Sequence, residues 1–393
     1  MSSPDISAAG IAVVTEVLKT RYLSIGPQLK AFEEALAGYI GAQFAVGVNS
    51  GTSGLHLSVI GAGIGEGDLT LTTPFSFIAS ANCILYERGV PVFIDVEKKT
   101  GNLDPNFAAE AASDLLLGGE KARRWLPPSI RDGRMDPGQY GRLKCLLPVH
   151  VFGQPADMDP LLSITREHNL HMIEDACEAL GAVYKDRLVG TFGDAAVFAF
   201  YPNKQITTGE GGMIITAHET WAKLFLSLRN QGRDIHDTWL NHSRLGYNYR
   251  LDEMSAALGV VQMNRVDELL AKRARVATWY NERLGSLDLL QCPFIAATTS
   301  RMSWFVYVVR ILPPANRNQI MVGLAEEDIP SRPYFTPIHL QPFYRNTFGY
   351  RRGDFPVSEY LGDVSLALPF SSVMSEEQVD QVCAALRRLL DQH

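Results

Sequence analysis

The sequence predicts an α/β fold: a large unit on a central seven-stranded, mostly parallel sheet with helices on both faces, followed by a smaller C-terminal α+β unit. Three observations predict it. Short apolar runs of strand length recur through the first 216 residues and alternate with stretches whose apolar residues return at helical spacing. The first such run ends in a polar, glycine-containing turn that opens a helix, the usual junction in a sheet of this kind. Beyond Arg250 the run 251–284 reads as one long helix, and shorter strands, a proline-rich stretch and a closing helix follow it. The boundary is therefore placed at the start of that helix, giving units 1–250 and 251–393.

Taken in order, residues 28–39 carry helical spacing and 44–48 form a short strand ending at Asn49-Ser50-Gly51-Thr52-Ser53-Gly54, where another helix begins. The remaining strands are expected at 69–72, 90–96, 146–151, 170–174, 195–201 and 213–216. Between them, 106–142 is rich in Pro, Gly and Arg and fits neither period. Its second half, with Arg123-Arg124-Trp125-Leu126-Pro127-Pro128 and then Asp132-Gly133-Arg134, is expected to be a surface excursion. The closing helix is expected over 376–390, and there is no internal repeat or low-complexity tract.

With 393 residues, 46% hydrophobic and 20% charged, the chain has globular composition and enough length for a large core. A formal net charge of -7 argues against general binding to nucleic acid or to anionic membranes. The five cysteines are scattered and lack a Cys-x-x-Cys pair, which suggests neither a disulfide framework nor a metal site and fits a reducing cytoplasm. No basic-then-apolar leader is seen at the N-terminus, and no apolar run approaches the ~20 residues that cross a bilayer.

The most informative stretch is Phe198 to Gly212, where Lys204 follows an apolar strand and precedes a glycine-rich turn. A lysine held there can act as a nucleophile, although a lone lysine is more often a solvated surface charge. Twenty-nine residues upstream, the strand 170–174 delivers Asp175 at its carboxyl end, where α/β sheets place ligand groups. Lysine plus aspartate is the pair that pyridoxal phosphate requires, an amine for its aldehyde and a carboxylate for its ring nitrogen. A helix N-cap explains an aspartate at that point equally well. The turn Gly51-Thr52-Ser53-Gly54 offers backbone N–H groups, hydroxyls and a helix dipole to a phosphate, while steric need explains its glycines as well. It is not a Walker loop, and the glycines of 61–65 follow a helix and so lack the dinucleotide-binding context.

These segments, with NSGTSGLHL (49–57), TPFSFIASAN (73–82), PVFIDV (91–96), HVFGQPADMD (150–159), IEDACEALG (173–181), KQITTGEGG (204–212) and LGYNYRLDE (245–253), resemble the DegT/DnrJ/EryC1/StrS sugar aminotransferases, pyridoxal phosphate enzymes of fold type I. The resemblance implies that Lys204 bonds the cofactor and shuttles a proton, and that Asp175 pairs with the ring nitrogen. It implies that Gly51, Thr52 and Ser53 hold the phosphate and that Phe77 stacks on the ring, although Phe77 also suits a core. Asn248 matches an asparagine reaching the cofactor phosphate of a neighbouring subunit, which implies a homodimer with shared sites. Two positions depart from the commonest pattern: Ala199 replaces a phosphate-binding serine, and Glu178, near the ring hydroxyl, replaces glutamine or histidine.

Glu178 and the stretch 331–339 resemble the perosamine synthase branch, in which Arg332 and His339 would lie near the sugar. Arg229, Arg233, Arg250 and Arg332 are candidates, by residue type alone, to meet a substrate diphosphate. The implied reaction moves an amino group from an amino acid, L-glutamate foremost, to the C-4 ketone of a nucleotide-linked 4-keto-6-deoxyhexose. A 3-keto sugar or a keto-cyclitol as acceptor, and a silent cofactor-binding regulator, stay open. A sugar-dehydrating offshoot that replaces the lysine with histidine is disfavoured by Lys204.

Overall fold

The computed structural model describes residues 2–133, 141–234 and 241–392. Its central sheet has seven strands in the order β1-β9-β8-β5-β4-β2-β3. They are β1 (Phe44–Val48), β2 (Leu69–Thr72), β3 (Val90–Phe93), β4 (Leu143–Leu146), β5 (His171–Asp175), β8 (Ala195–Ala199) and β9 (Gly212–Thr216), with the short strands β6 (Val183–Tyr184) and β7 (Arg187–Leu188) between β5 and β8. Only β9 runs against the others, pairing antiparallel with both β1 and β8. The carboxyl ends of β1, β2, β5 and β8 therefore open on one edge, where this class of sheet presents its ligands.

The expected strand at 146–151 is corrected to Leu143–Leu146. Leu147 still donates to Leu71 O at 2.8 Å, but Pro148 has no N–H with which to continue the ladder. The segment beyond it stays along β5 through a single bridge between Val149 and Asp175.

The excursion is also corrected in part. Arg124 and the Trp125 indole both hydrogen-bond Asp114, at 2.6 and 2.9 Å. This anchor turns Leu126 and Ile130 under, into the cluster with Leu103, Ala108 and Leu161. Residues 134–140 of the excursion, Arg134 included, lie outside the described residues.

The single helix expected over 251–284 is two, Glu253–Met263 and Val266–Leu284, parted at Asn264 and Arg265. Arg265 turns its guanidinium to Asp5 and Glu268, tying the break to the N-terminal segment. Apolar residues of this pair as far as Leu270 pack with Phe200 and Met213 against the large sheet. From Val276 onward they pack into a second core with Tyr307, Leu366 and Leu386.

That second core lies under a four-stranded antiparallel sheet, β10-β12-β14-β13. Its strands are β10 (Leu290–Gln291), β12 (Tyr307–Ile311), β13 (Arg332–Pro333) and β14 (Ser365–Leu368). The remaining strand, β11 (Thr299–Arg301), instead joins β6 of the first unit. The closing helix, Glu376–Leu390, forms where the sequence predicts it and starts with a reciprocal capping box between Ser375 and Gln378. The α/β sheet and the smaller α+β region are thus both as expected.

Candidate active site

A cavity of about 450 Å³ opens at the carboxyl edge of the large sheet. Its floor is made by residues that leave β1, β2, β5 and β8, and its facing wall by Phe305, Tyr334 and Phe335. The volume is in the range of small-molecule sites.

Asp175 ends β5 and is almost fully buried. Its Oδ2 accepts the Ser80 hydroxyl at 2.7 Å and its Oδ1 accepts the Cys177 N–H at 3.1 Å. The Cys177 bond closes a local turn rather than capping a helix, since only turns follow Asp175. The preceding Glu174 is wholly buried and faces the opposite side of the strand. It accepts the N–H groups of Gly190, Phe192 and Gly193 at 2.7 to 2.8 Å and His150 Nε2 at 3.2 Å. Because His150 Nδ1 accepts the Ala156 N–H, Nε2 is the protonated nitrogen. One strand therefore carries a structural carboxylate and a cavity carboxylate on adjacent residues.

Lys204 follows β8 in a tight loop; its side chain is 13% exposed. Its Nζ stands 4.0 Å from Glu178 Oε1 and 3.8 Å from the Phe305 ring centroid. Glu178 is buried, and burial pushes its carboxyl up to about 7, against the opposing pull of Lys204 and of the Phe152 N–H that donates to Oε2 at 2.8 Å. Phe152 takes a φ of 59°, in the left-handed region, which aims that N–H at the carboxylate.

The helix Gly51–Gly61 points its N-terminus at the cavity, and Ser50, Gly51 and Thr52 line it. Ser53 does not. Its hydroxyl donates to Asn49 Oδ1 at 2.6 Å, and its N–H is capped by Ser50 Oγ at 3.1 Å. A Cβ on Gly51 would lie 2.8 Å from both Ala199 Cβ and Cys177 Sγ, so only glycine lets the helix end come this close to the floor.

Phe77 lies at the cavity with 61% of its surface open, so it is not core. Ala199, the other departure from the pattern, also lines the cavity. Asn248 is exposed and does not line the cavity; its carbonyl accepts Asn49 Nδ2 at 3.4 Å. Arg250 donates to Asn230 Oδ1 and exposed Arg332 to Ser331 O, both away from the cavity lining. His339 is wholly buried against Glu359 Oε1 at 3.0 Å and the Phe355 ring, so it lines no open site. Arg229 is spent on Glu33 and on Gly47 O, which makes it a tie between β1 and its neighbouring helices.

Sequence reasoning passed over Ser76, Ser80, Tyr201, Asn203 and Phe305, whereas Tyr334 and Phe335, which also line the cavity, fall in the stretch 331–339 that the resemblance put near the sugar. The signal for the serines was present in TPFSFIASAN, where positions 76 and 80 are one helical turn apart and their hydroxyls meet at 2.8 Å. Nothing local marked Phe305, which reaches the site only through the packing of the smaller sheet.

The donor set fits pyridoxal phosphate. A helix N-terminus freed of side chain at Gly51 suits a phosphate, a buried carboxylate suits a protonated ring nitrogen, and an amine lines the same cavity. Fold and site together define an aminotransferase of the pyridoxal phosphate-dependent fold type I class. The chain belongs to the DegT/DnrJ/EryC1/StrS aminotransferase family, matching it across residues 4–387. It is 37% identical to GDP-perosamine synthase of Caulobacter vibrioides over 99% of this chain and 98% of that one. Among solved structures it is similar to S. venezuelae DesV, with a TM-score of 0.85, 29% identity and 99% of each chain covered. It also resembles a DegT DnrJ EryC1 StrS aminotransferase from Brucella abortus, with a TM-score of 0.83, 28% identity and 97% and 95% coverage. The cofactor of this family is pyridoxal phosphate.

Proposed function

We propose that the chain moves the amino group of L-glutamate to the C-4 ketone of a nucleotide-linked 4-keto-6-deoxyhexose. The convergence of Lys204, Asp175 and the Gly51–Thr52 helix end on one cavity carries this reading. The likeness to GDP-perosamine synthase supports a nucleotide-linked sugar as acceptor.

When bound, pyridoxal phosphate supplies an aldehyde for the amine and a ring that accepts electrons. Lys204 Nζ would hold the cofactor through this aldehyde and would take and return the proton of the substrate carbon. Asp175 would keep a proton on the ring nitrogen, and the Ser80 hydroxyl and the Cys177 N–H each hold one of its carboxylate oxygens in place for that task. Gly51 and Thr52 present the helix end to the phosphate, with Ser50 rather than Ser53 as the third cavity residue. Phe77 would cover the ring, and Glu178, 4.0 Å from Lys204 Nζ, would meet the ring hydroxyl. Phe305, Tyr334 and Phe335 keep water from the opposite side.

The described lining holds one cation, Lys204, against the acids Asp175, Glu178 and Glu210. A phosphate and a nucleotide diphosphate need more positive partners than this. We therefore place the active unit as a homodimer in the cytoplasm, with exposed Asn248 and the arginines at 250 and 332 serving a neighbouring copy's site or its rim. No helix among the described residues is long and apolar enough to cross a membrane.

The test is the visible absorbance of the purified, cofactor-loaded protein before and after L-glutamate. The expected outcome is loss of the visible band with release of 2-oxoglutarate, and no such band in Lys204→Ala. A keto-sugar acceptor should then restore the band, and the position of the new amine in the product decides the carbon. A band that ignores glutamate would overturn the donor, and a normal band in Lys204→Ala would overturn the role of the lysine.

A further inference from the structure

Arg273 lies in the helix Val266–Leu284 and is 2% exposed. None of the hydrogen-bond partners described for it is a carboxylate. Nη1 donates to Trp304 O at 3.2 Å and Phe305 O at 3.1 Å, while Nη2 donates to Asn203 O at 3.2 Å and Lys204 O at 2.6 Å. Burying a guanidinium without a counter-charge is costly, and burial is the sole cause that lowers its pKa, to about 10. Its helical neighbours Leu269, Leu270, Val276 and Ala277 are apolar, so ordinary packing of this face does not call for arginine.

What does call for it is the convergence of four carbonyl oxygens from two separate segments. A planar fork of five donors with no acceptor suits that arrangement better than any other side chain. The two segments are the β8 loop carrying Lys204 and the strand approach carrying Phe305, whose ring centroid lies 3.8 Å from Lys204 Nζ. Gln205 repeats the tie one residue on, with Nε2 donating to Glu178 O at 2.6 Å and Ser303 Oγ at 2.7 Å.

We propose that Arg273 is a positioning residue that clamps the main chains of Lys204 and Phe305 together and so fixes the Lys204 amine between the Phe305 ring and the Glu178 carboxyl. It touches neither substrate nor cofactor. The fit between the smaller sheet and the β8 loop is thereby passed to the reacting amine. This inference rests on the reading of Lys204 as the amine that takes the cofactor.

The test compares wild type with Arg273→Met, which keeps the bulk of the stem, and Arg273→Lys, which keeps charge and three donors. In cofactor-free protein, acetylation of Lys204 by an amine-reactive acetyl ester is followed by mass spectrometry, with exposed Lys30 as internal reference. A freed loop should raise the Lys204 rate by ~10-fold or more in Arg273→Met, with partial recovery in Arg273→Lys. In loaded enzyme kcat should fall ~10-fold or more while the donor KM stays within about twofold, as expected when geometry rather than binding is lost.

A merely structural arginine would lower the melting temperature and leave the Lys204 to Lys30 labelling ratio within about twofold of wild type, and that result overturns the proposal. Should Arg273→Met fail to fold, the same ratio in Arg273→Lys decides. Failure of the underlying reading would show separately, as a normal visible band in Lys204→Ala.

Discussion

The floor of the cavity and its facing wall are built by different means. The floor takes Gly51, Asp175 and Lys204 from residues that leave β1, β5 and β8 at one edge of the sheet, each within a few residues of its strand. The wall takes Phe305, Tyr334 and Phe335 from the margins of the smaller sheet, and these give rings but no charge. On the proposed reading the floor carries the chemistry, and the wall sets where that chemistry sits. Arg273 and Gln205 join the two by bonding to main chain on both sides.

If this division is right, the largest loss short of Lys204 itself should come from the floor. Asp175→Asn keeps the shape, its Oδ1 can still accept the Cys177 N–H and its Nδ2 can donate to the Ser80 hydroxyl, but it removes the negative charge meant for the ring nitrogen. The expected drop in kcat is on the order of 10²–10⁴, with melting temperature nearly unchanged. Steady-state kinetics with L-glutamate checks it. A loss below about tenfold would mean that the floor does not depend on this carboxylate.

The same contrast explains what could be read from the sequence. Floor residues sit next to strand ends, so a local pattern of strand, turn and glycine exposes them, and Asp175 and Lys204 were legible for that reason. The exchange of Ser53 for Ser50 was not, because a serine at a helix start can cap the helix or face outward, and only the bond to Asn49 Oδ1 settles which. Wall residues reach the site through long-range packing, and no window around Phe305 reveals that its ring will lie over Lys204. The break at Asn264 was hidden because both helices keep apolar spacing across it, and β4 was misplaced because an apolar run containing Pro148 looks like a strand until its ladder is counted.

A second, smaller effect should appear where floor and wall meet. Glu178 has an ordinary value of 4.5 that burial raises to about 7, with Lys204 and the Phe152 N–H opposing and Asp175 adding to the rise. The folded state thus keeps the proton longer than the unfolded chain. Its stabilising effect is full below about pH 4.5 and is lost as pH rises through about 7, a change of up to about 3 kcal/mol. Urea unfolding of cofactor-free protein across that window should show this decline in wild type and a flatter profile in Glu178→Gln. Parallel profiles would place the Glu178 titration elsewhere and remove its link to Lys204.

The smallest effect on activity is expected from His339, although the sequence resemblance put it near the sugar. Its ring is wholly buried, edge-on to Phe355, and Nε2 meets a Glu359 carboxylate that also accepts the Gly353 and Phe355 N–H groups. That carboxylate is already well supplied, so losing one donor should weaken the fold without emptying a site. His339→Gln, which can still donate to Glu359, should lower stability by about 1–2 kcal/mol and leave kcat and both KM values within about twofold. Thermal melts and two-substrate kinetics on the same preparation separate the two effects. A selective rise in the KM for the sugar, with stability unchanged, would instead bring His339 into the substrate's path and make the region behind the wall part of recognition.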